Sequence, residues 1–142
     1  MRFLLAVLPL LAACQPQAPD GSPAPPPAEA KPPAGNMDIS HPITALGTEP
    51  FWSVKVEGTT LSLTRPDAAP VAFKAPGAAI QSGRATWVAK ADDGAQLTLT
   101  IYASECSDGM SDRVYPWAAE VAVLNQDLRG CAVKTAEMPP GG

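Results

Sequence analysis

Apolar and polar residues alternate singly over much of the region from His41 to Glu137, and that period of two fixes the fold class. Trp52, Val54 and Val56 alternate with Ser53, Lys55 and Glu57, and Leu61 and Leu63 with Thr60, Ser62 and Thr64. Ala85, Trp87 and Ala89 are interleaved with Thr86, Val88 and Lys90; Leu97, Leu99 and Ile101 with Thr98, Thr100 and Tyr102; Ala119, Val121 and Val123 with Glu120, Ala122 and Leu124. On a helix such spacing scatters apolar groups around the circumference, whereas on a strand it gathers them on one face. No window carries a helical repeat of useful length. The domain is therefore read as all-β.

Turn signals divide these runs. The first strand is expected at Trp52, entered through Gly47 to Pro50, and Gly58 turns it into the second. Pro66 and Pro70 bracket a loop before a short strand at Val71 to Lys74. Pro76-Gly77 breaks the chain, and Ile80 starts a weak edge strand. Asp92-Asp93-Gly94 is a hairpin turn, and Asn125-Gln126-Asp127 turns the chain into Leu128 to Val133. Six to eight short strands of this kind predict an antiparallel meander closed into a small barrel, with a sandwich as the alternative. A barrel is favoured because closure removes exposed edges from so small a sheet.

The chain starts differently. Arg2 precedes an apolar run from Phe3 to Leu11, too short to span a bilayer, and Leu11-Ala12-Ala13-Cys14 ends it with small residues and a cysteine. This resembles the bacterial lipoprotein signal, in which cleavage makes the acylated cysteine residue one. The resemblance implies lipidation of Cys14 and attachment to the bilayer by two or three acyl chains, enough for stable anchoring. Gln15 follows Cys14; an aspartate there would imply retention at the inner membrane, so the outer membrane, facing the periplasm, is expected. Residues 1–13 are then signal peptide. Residues 14–40 are the lipidated cysteine and a Pro/Ala-rich linker, 41–137 the barrel domain and 138–142 a flexible tail. Gln15 to Asn36 holds eight prolines and no Val, Ile, Leu or aromatic residue. It cannot bury enough apolar surface to offset ordering entropy and reads as a disordered, extended tether.

Without the signal, nine basic residues face 14 acidic ones, a net charge of −5. No Lys/Arg cluster is visible, so no nucleic-acid partner is expected. With Cys14 acylated, Cys106 and Cys131 remain as an even pair in an oxidising compartment and are expected to form a structural disulfide. No Cys-X-X-Cys spacing is present.

Two further segments stand out: Gly47-Thr48-Glu49-Pro50-Phe51-Trp52, and Cys106-Ser107-Asp108-Gly109-Met110-Ser111-Asp112-Arg113-Val114-Tyr115-Pro116-Trp117, followed by Gly130-Cys131-Ala132. Together they resemble an uncharacterised family of bacterial envelope lipoproteins with "GTEPFW", "CSDGMSD…YP" and "GCA" motifs. In architecture, anchor and disulfide the chain is also similar to META-type lipoproteins and to membrane-bound inhibitors of C-type lysozyme. Fold analogy does not establish function. Because catalysis is poorly supported by the residues, a binding or inhibitory module is expected, with a lysozyme-type muramidase, typically basic where this domain is acidic, as one periplasmic partner.

The candidate binding residues are Glu49, Trp52, Ser107, Asp108, Asp112, Arg113, Tyr115 and Trp117. Glu105, Asp108 and Asp112 with Ser107 and Ser111 offer oxygen ligands, yet the spacing departs from the twelve-residue calcium loop, and Ser107-Asp108-Gly109 also reads as a turn. No metal or cofactor is assigned. Arg113 and Arg129 are expected to pair with Glu49 or Asp112. Phe51, Trp52, Tyr115 and Trp117 are expected to plug one barrel end. The single histidine, His41, lies at the linker boundary, and no catalytic set is assigned. A carboxylate pair of Glu49 with Asp108 or Asp112, acting on envelope glycans, is the enzymatic alternative. A structural or stress-related envelope factor is the other.

Overall fold

The computed structural model describes residues 37–138. The expected signal peptide, Cys14, the expected linker up to Asn36 and the last four residues lie outside the described residues. The strands are β1 (Ile43–Thr48), β2 (Phe51–Glu57), β3 (Thr60–Arg65), β4 (Ala68–Lys74), β5 (Ala78–Gln81), β6 (Arg84–Lys90), β7 (Gln96–Tyr102), β8 (Cys106–Ser107), β9 (Val114–Tyr115), β10 (Trp117–Val123) and β11 (Gln126–Lys134). A single 3-10 turn, Thr135–Glu137, follows β11, and no α-helix occurs among the described residues.

Eight of these strands close an antiparallel up-and-down barrel in the order β1, β2, β3, β4, β6, β7, β10, β11. The last strand seals onto the first, from Ile43 opposite Lys134 to Leu46 opposite Cys131. On the other side β4 and β5 act as one interrupted strand. β4 runs along β3, Lys74 bridges to Lys90, and β5 then pairs with β6 from Ala78 to Gln81. The barrel expectation holds, and the sandwich does not.

The alternating apolar residues all point inward, and the interior is filled by side chains. Each tryptophan sits beside small partners. Trp52 is opposite Gly47, Trp117 is opposite Ala132 (which in turn faces Ala45), and Trp87 is opposite Ala78. Small-beside-large pairing makes room for three indoles inside a narrow barrel. Met37 and Ile39 pack against the same core from the entering chain. That segment is fixed by Asp38, whose carboxylate accepts a hydrogen bond from Lys134 Nζ at 2.9 Å.

Several boundaries differ from the sequence reading. Alternation in the sequence does not mark β1, because its inward positions Ala45 and Gly47 carry little hydrophobic signal. Pro70 lies within β4 rather than in a loop, on a stretch whose second edge has no ladder partner, where its missing N–H costs no bond. The last hairpin turns at Leu124 and Asn125, both at positive φ (50° and 60°), and β11 already begins at Gln126. Those dihedrals match the two-residue turn that suits strand twist.

Candidate functional site

The segment between β7 and β10 does not remain a simple loop. β8 and β9 form a two-stranded hairpin, with Cys106 opposite Tyr115 and Ser107 opposite Val114. It lies as a flap on the outside of the barrel wall. Along β11, Leu128 and Ala132 face the interior, whereas Cys131 and Val133 face outward. Those two pack with Tyr115 in a second apolar cluster, joined by Leu46, Cys106 and Met138. The Cys106–Cys131 disulfide, with Cα atoms 5.4 Å apart, fastens flap to wall. The expected bridge is present, and the flap explains why outward positions of β11 are apolar.

The flap tip is ordered by its own side chains. Asp108 Oδ1 accepts the amides of Met110 at 2.9 Å and Ser111 at 2.8 Å, and Oδ2 accepts the Ser111 hydroxyl at 2.8 Å. Ser107 Oγ accepts the Gly109 amide at 3.3 Å, and Gly109 takes a φ of +74° that a side chain would resist. The hydrogen bonds from Ser111 and Met110, helped by the nearby Arg113 charge, hold the Asp108 carboxyl below its ordinary value. Asp108 thus builds the turn. Thr48 Oγ1 donates to the Asp108 carbonyl at 3.2 Å, joining the tip to the β1–β2 turn that carries Glu49.

Among the eight candidate residues the structure draws a clear division. Glu49, Ser107 and Asp112 are exposed; Asp108 and Arg113 are half-buried. Trp52, Tyr115 and Trp117 are buried, so they support the wall and flap instead of presenting their rings to a partner. Phe51 is 55% exposed and plugs nothing, which corrects the expectation for that ring. Trp52 lies beside the β1–β2 turn and Trp117 starts β10, so the aromatic residues do not share one barrel end. Arg129 pairs with Glu120 at 3.6 Å on the outer wall, not with Glu49 or Asp112. Met110 and Thr48 belong to this surface and were not singled out; both lie inside the distinctive motifs, which was the available signal.

The described residues contain no group of three or more His, Cys, Asp or Glu side chains suited to a metal. His41 Nδ1 lies 3.1 Å from Ser40 Oγ and 3.0 Å from Asp38 Oδ2. One ring nitrogen faces both groups, whereas a catalytic triad needs the two nitrogens divided between serine and carboxylate. No protein-family model, curated protein or solved structure matches the chain.

The Asp108 turn has a defined pH response. Its carboxyl is depressed on folding, so its contribution is complete above the ordinary aspartate value of about 3.9 and is lost as pH falls through the lowered folded value. Amide exchange at Met110 and Ser111, corrected for intrinsic rates, should be flat from about pH 7 to about pH 5 and should rise below about pH 3.9. Protection that persists in the folded protein at about pH 2 would contradict this role.

Proposed function

We propose that this chain is an envelope lipoprotein, acylated at Cys14, whose barrel presents the flap tip and the β1–β2 turn to a periplasmic protein as a non-catalytic binding or inhibitory module. The observation that carries the reading is the Thr48–Asp108 hydrogen bond. It unites two exposed segments into one ordered surface bearing Met110 and Phe51 with the acidic Glu49 and Asp112. Loops held by a rigid scaffold are where recognition tends to reside. A tip already fixed by the Asp108 turn and the disulfide loses less entropy on binding.

The attachment point supports the same arrangement. The tether joins the domain at Met37 to Pro42, beside the start of β1, whereas Glu49 follows the end of β1. The flap tip therefore lies towards the end of β1 opposite to the entering segment Met37 to Pro42 and, in this reading, faces away from the outer membrane. The acidic rim suits a basic partner, of which a lysozyme-type muramidase is one. The carboxylate-enzyme alternative is weakened because Asp108 is consumed by its own turn.

The test is a charge reversal. Glu49→Lys with Asp112→Lys should leave the melting temperature within a few degrees and weaken capture or inhibition of a C-type lysozyme by about 10-fold or more. If the wild-type protein neither inhibits the muramidase nor retains any periplasmic protein, the binding reading fails and the envelope scaffold takes its place. The anchor has its own check. Cells grown with a clickable palmitate should label the wild type and not Cys14→Ser, and equal labelling of both would remove the lipid from the account.

A further inference from the structure

The flap is joined to the barrel in a way that separates its order from that of the barrel itself. None of the residues from Cys106 to Tyr115 belongs to the main core cluster, which passes from Ile101 to Trp117. β8 and β9 pair only with each other, whereas the barrel ladders β7–β10, β10–β11 and β11–β1 are complete without them. The Thr48–Asp108 hydrogen bond, the small outer cluster around Tyr115 and the disulfide tie the flap to the wall, and the disulfide is the covalent tie. Along one edge a groove of about 390 Å³, lined by Glu105, Val114, Tyr115, Pro116, Val133 and Glu137, already parts the cover from the wall. Beneath the flap lie Leu46, Cys131 and Val133, an apolar strip on the outside of a barrel whose outer face is otherwise largely polar.

We propose that the Cys106–Cys131 bridge is a redox-sensitive latch, whose reduction by a dithiol lifts the flap and uncovers this apolar strip while the barrel stays closed. The inference does not depend on what the flap tip binds. The two cysteines differ in exposure, since Cys131 is fully buried and Cys106 is half-buried. A thiolate of the dithiol attacks the Cys106 sulfur; the Cys106–Cys131 bond breaks, and Cys131 leaves as thiolate and takes a proton. The second thiol of the reductant then displaces Cys106, releasing a second protein thiol and the oxidised reductant. Two electrons and two protons are transferred in all. With the bridge gone, the flap keeps non-covalent contacts alone, among them the Thr48–Asp108 hydrogen bond and the small outer cluster. The conformational entropy of about ten flap residues then opposes them without a covalent tie, and the open state becomes populated.

The test uses the whole protein, treated with dithiothreitol at neutral pH. Maleimide labelling of the Cys106 and Cys131 peptides should report both thiols. Amide exchange from Cys106 to Tyr115 should rise about 10-fold or more while β2, β6 and β7 keep their protection. Cys106→Ser should reproduce that pattern without reductant and should bind a hydrophobic dye that the oxidised wild type does not. Three results would overturn the latch: a native bridge that dithiothreitol cannot reduce, a reduced flap with unchanged exchange, or loss of protection throughout the barrel in both the reduced wild type and Cys106→Ser.

Discussion

Gly130→Ala should destabilise the domain by about 3 kcal/mol, close to the upper end for overpacking in a tight interior. A Cβ built on Gly130 overlaps the Leu46 carbonyl oxygen and lies 2.7 Å from the Leu46 carbonyl carbon and 3.0 Å from the Gly47 Cα. The obstacle is backbone, so no rotamer change relieves it. Relief requires β11 to move away from β1 at the level of Leu46 and Cys131, the seam that joins the last strand to the first. Closure by a terminal pair is the step with the greatest sequence separation in the barrel. Chemical denaturation should show a lowered midpoint with an unchanged slope. A shift equivalent to less than about 1 kcal/mol would mean that the seam yields without cost.

This pair of glycines also marks how far the sequence could be read. The strands with large inward residues, β2, β3, β6, β7 and β10, are legible because Val, Leu, Ile and Trp alternate with polar neighbours. β1 is not, because Gly47 must be small to admit Trp52, and Leu46 faces outward under the flap. A strand that accommodates another strand's indole loses its own hydrophobic pattern. β11 is blurred for a related reason, since Ala132 points inward while Cys131 and Val133 point outward against the flap, leaving apolar residues on both faces. The candidate site was legible as composition, a polar turn-rich stretch bounded by a cysteine. Its placement was not, since alternation says nothing about a hairpin folding back over the wall. That Tyr115 is buried while Met110 is 65% exposed follows from this placement alone.

Trp52→Ala should have the largest effect of any single truncation near the candidate site, about 3–5 kcal/mol, with partial or complete unfolding at physiological temperature. The side chain is only 4% exposed and sits over Gly47, whose own lack of a side chain leaves nothing to collapse into the space. The facing partner is a glycine next to a second glycine, so relaxation is limited and the cavity persists. Trp52→Phe separates packing from hydrogen bonding. The indole Nε1 is buried and has no hydrogen-bond partner among the described residues, so the smaller ring forfeits volume without forfeiting a bond. Burying that unpaired N–H already costs on the order of 1–3 kcal/mol, and its removal offsets part of the lost contact. Phenylalanine is therefore expected to cost far less than alanine, about 1 kcal/mol or less after this compensation. Equal losses for Phe and Ala would show that the indole nitrogen makes an interaction essential to the barrel end. A small loss for both would show that the β1–β2 turn packs on Gly47 without needing the ring.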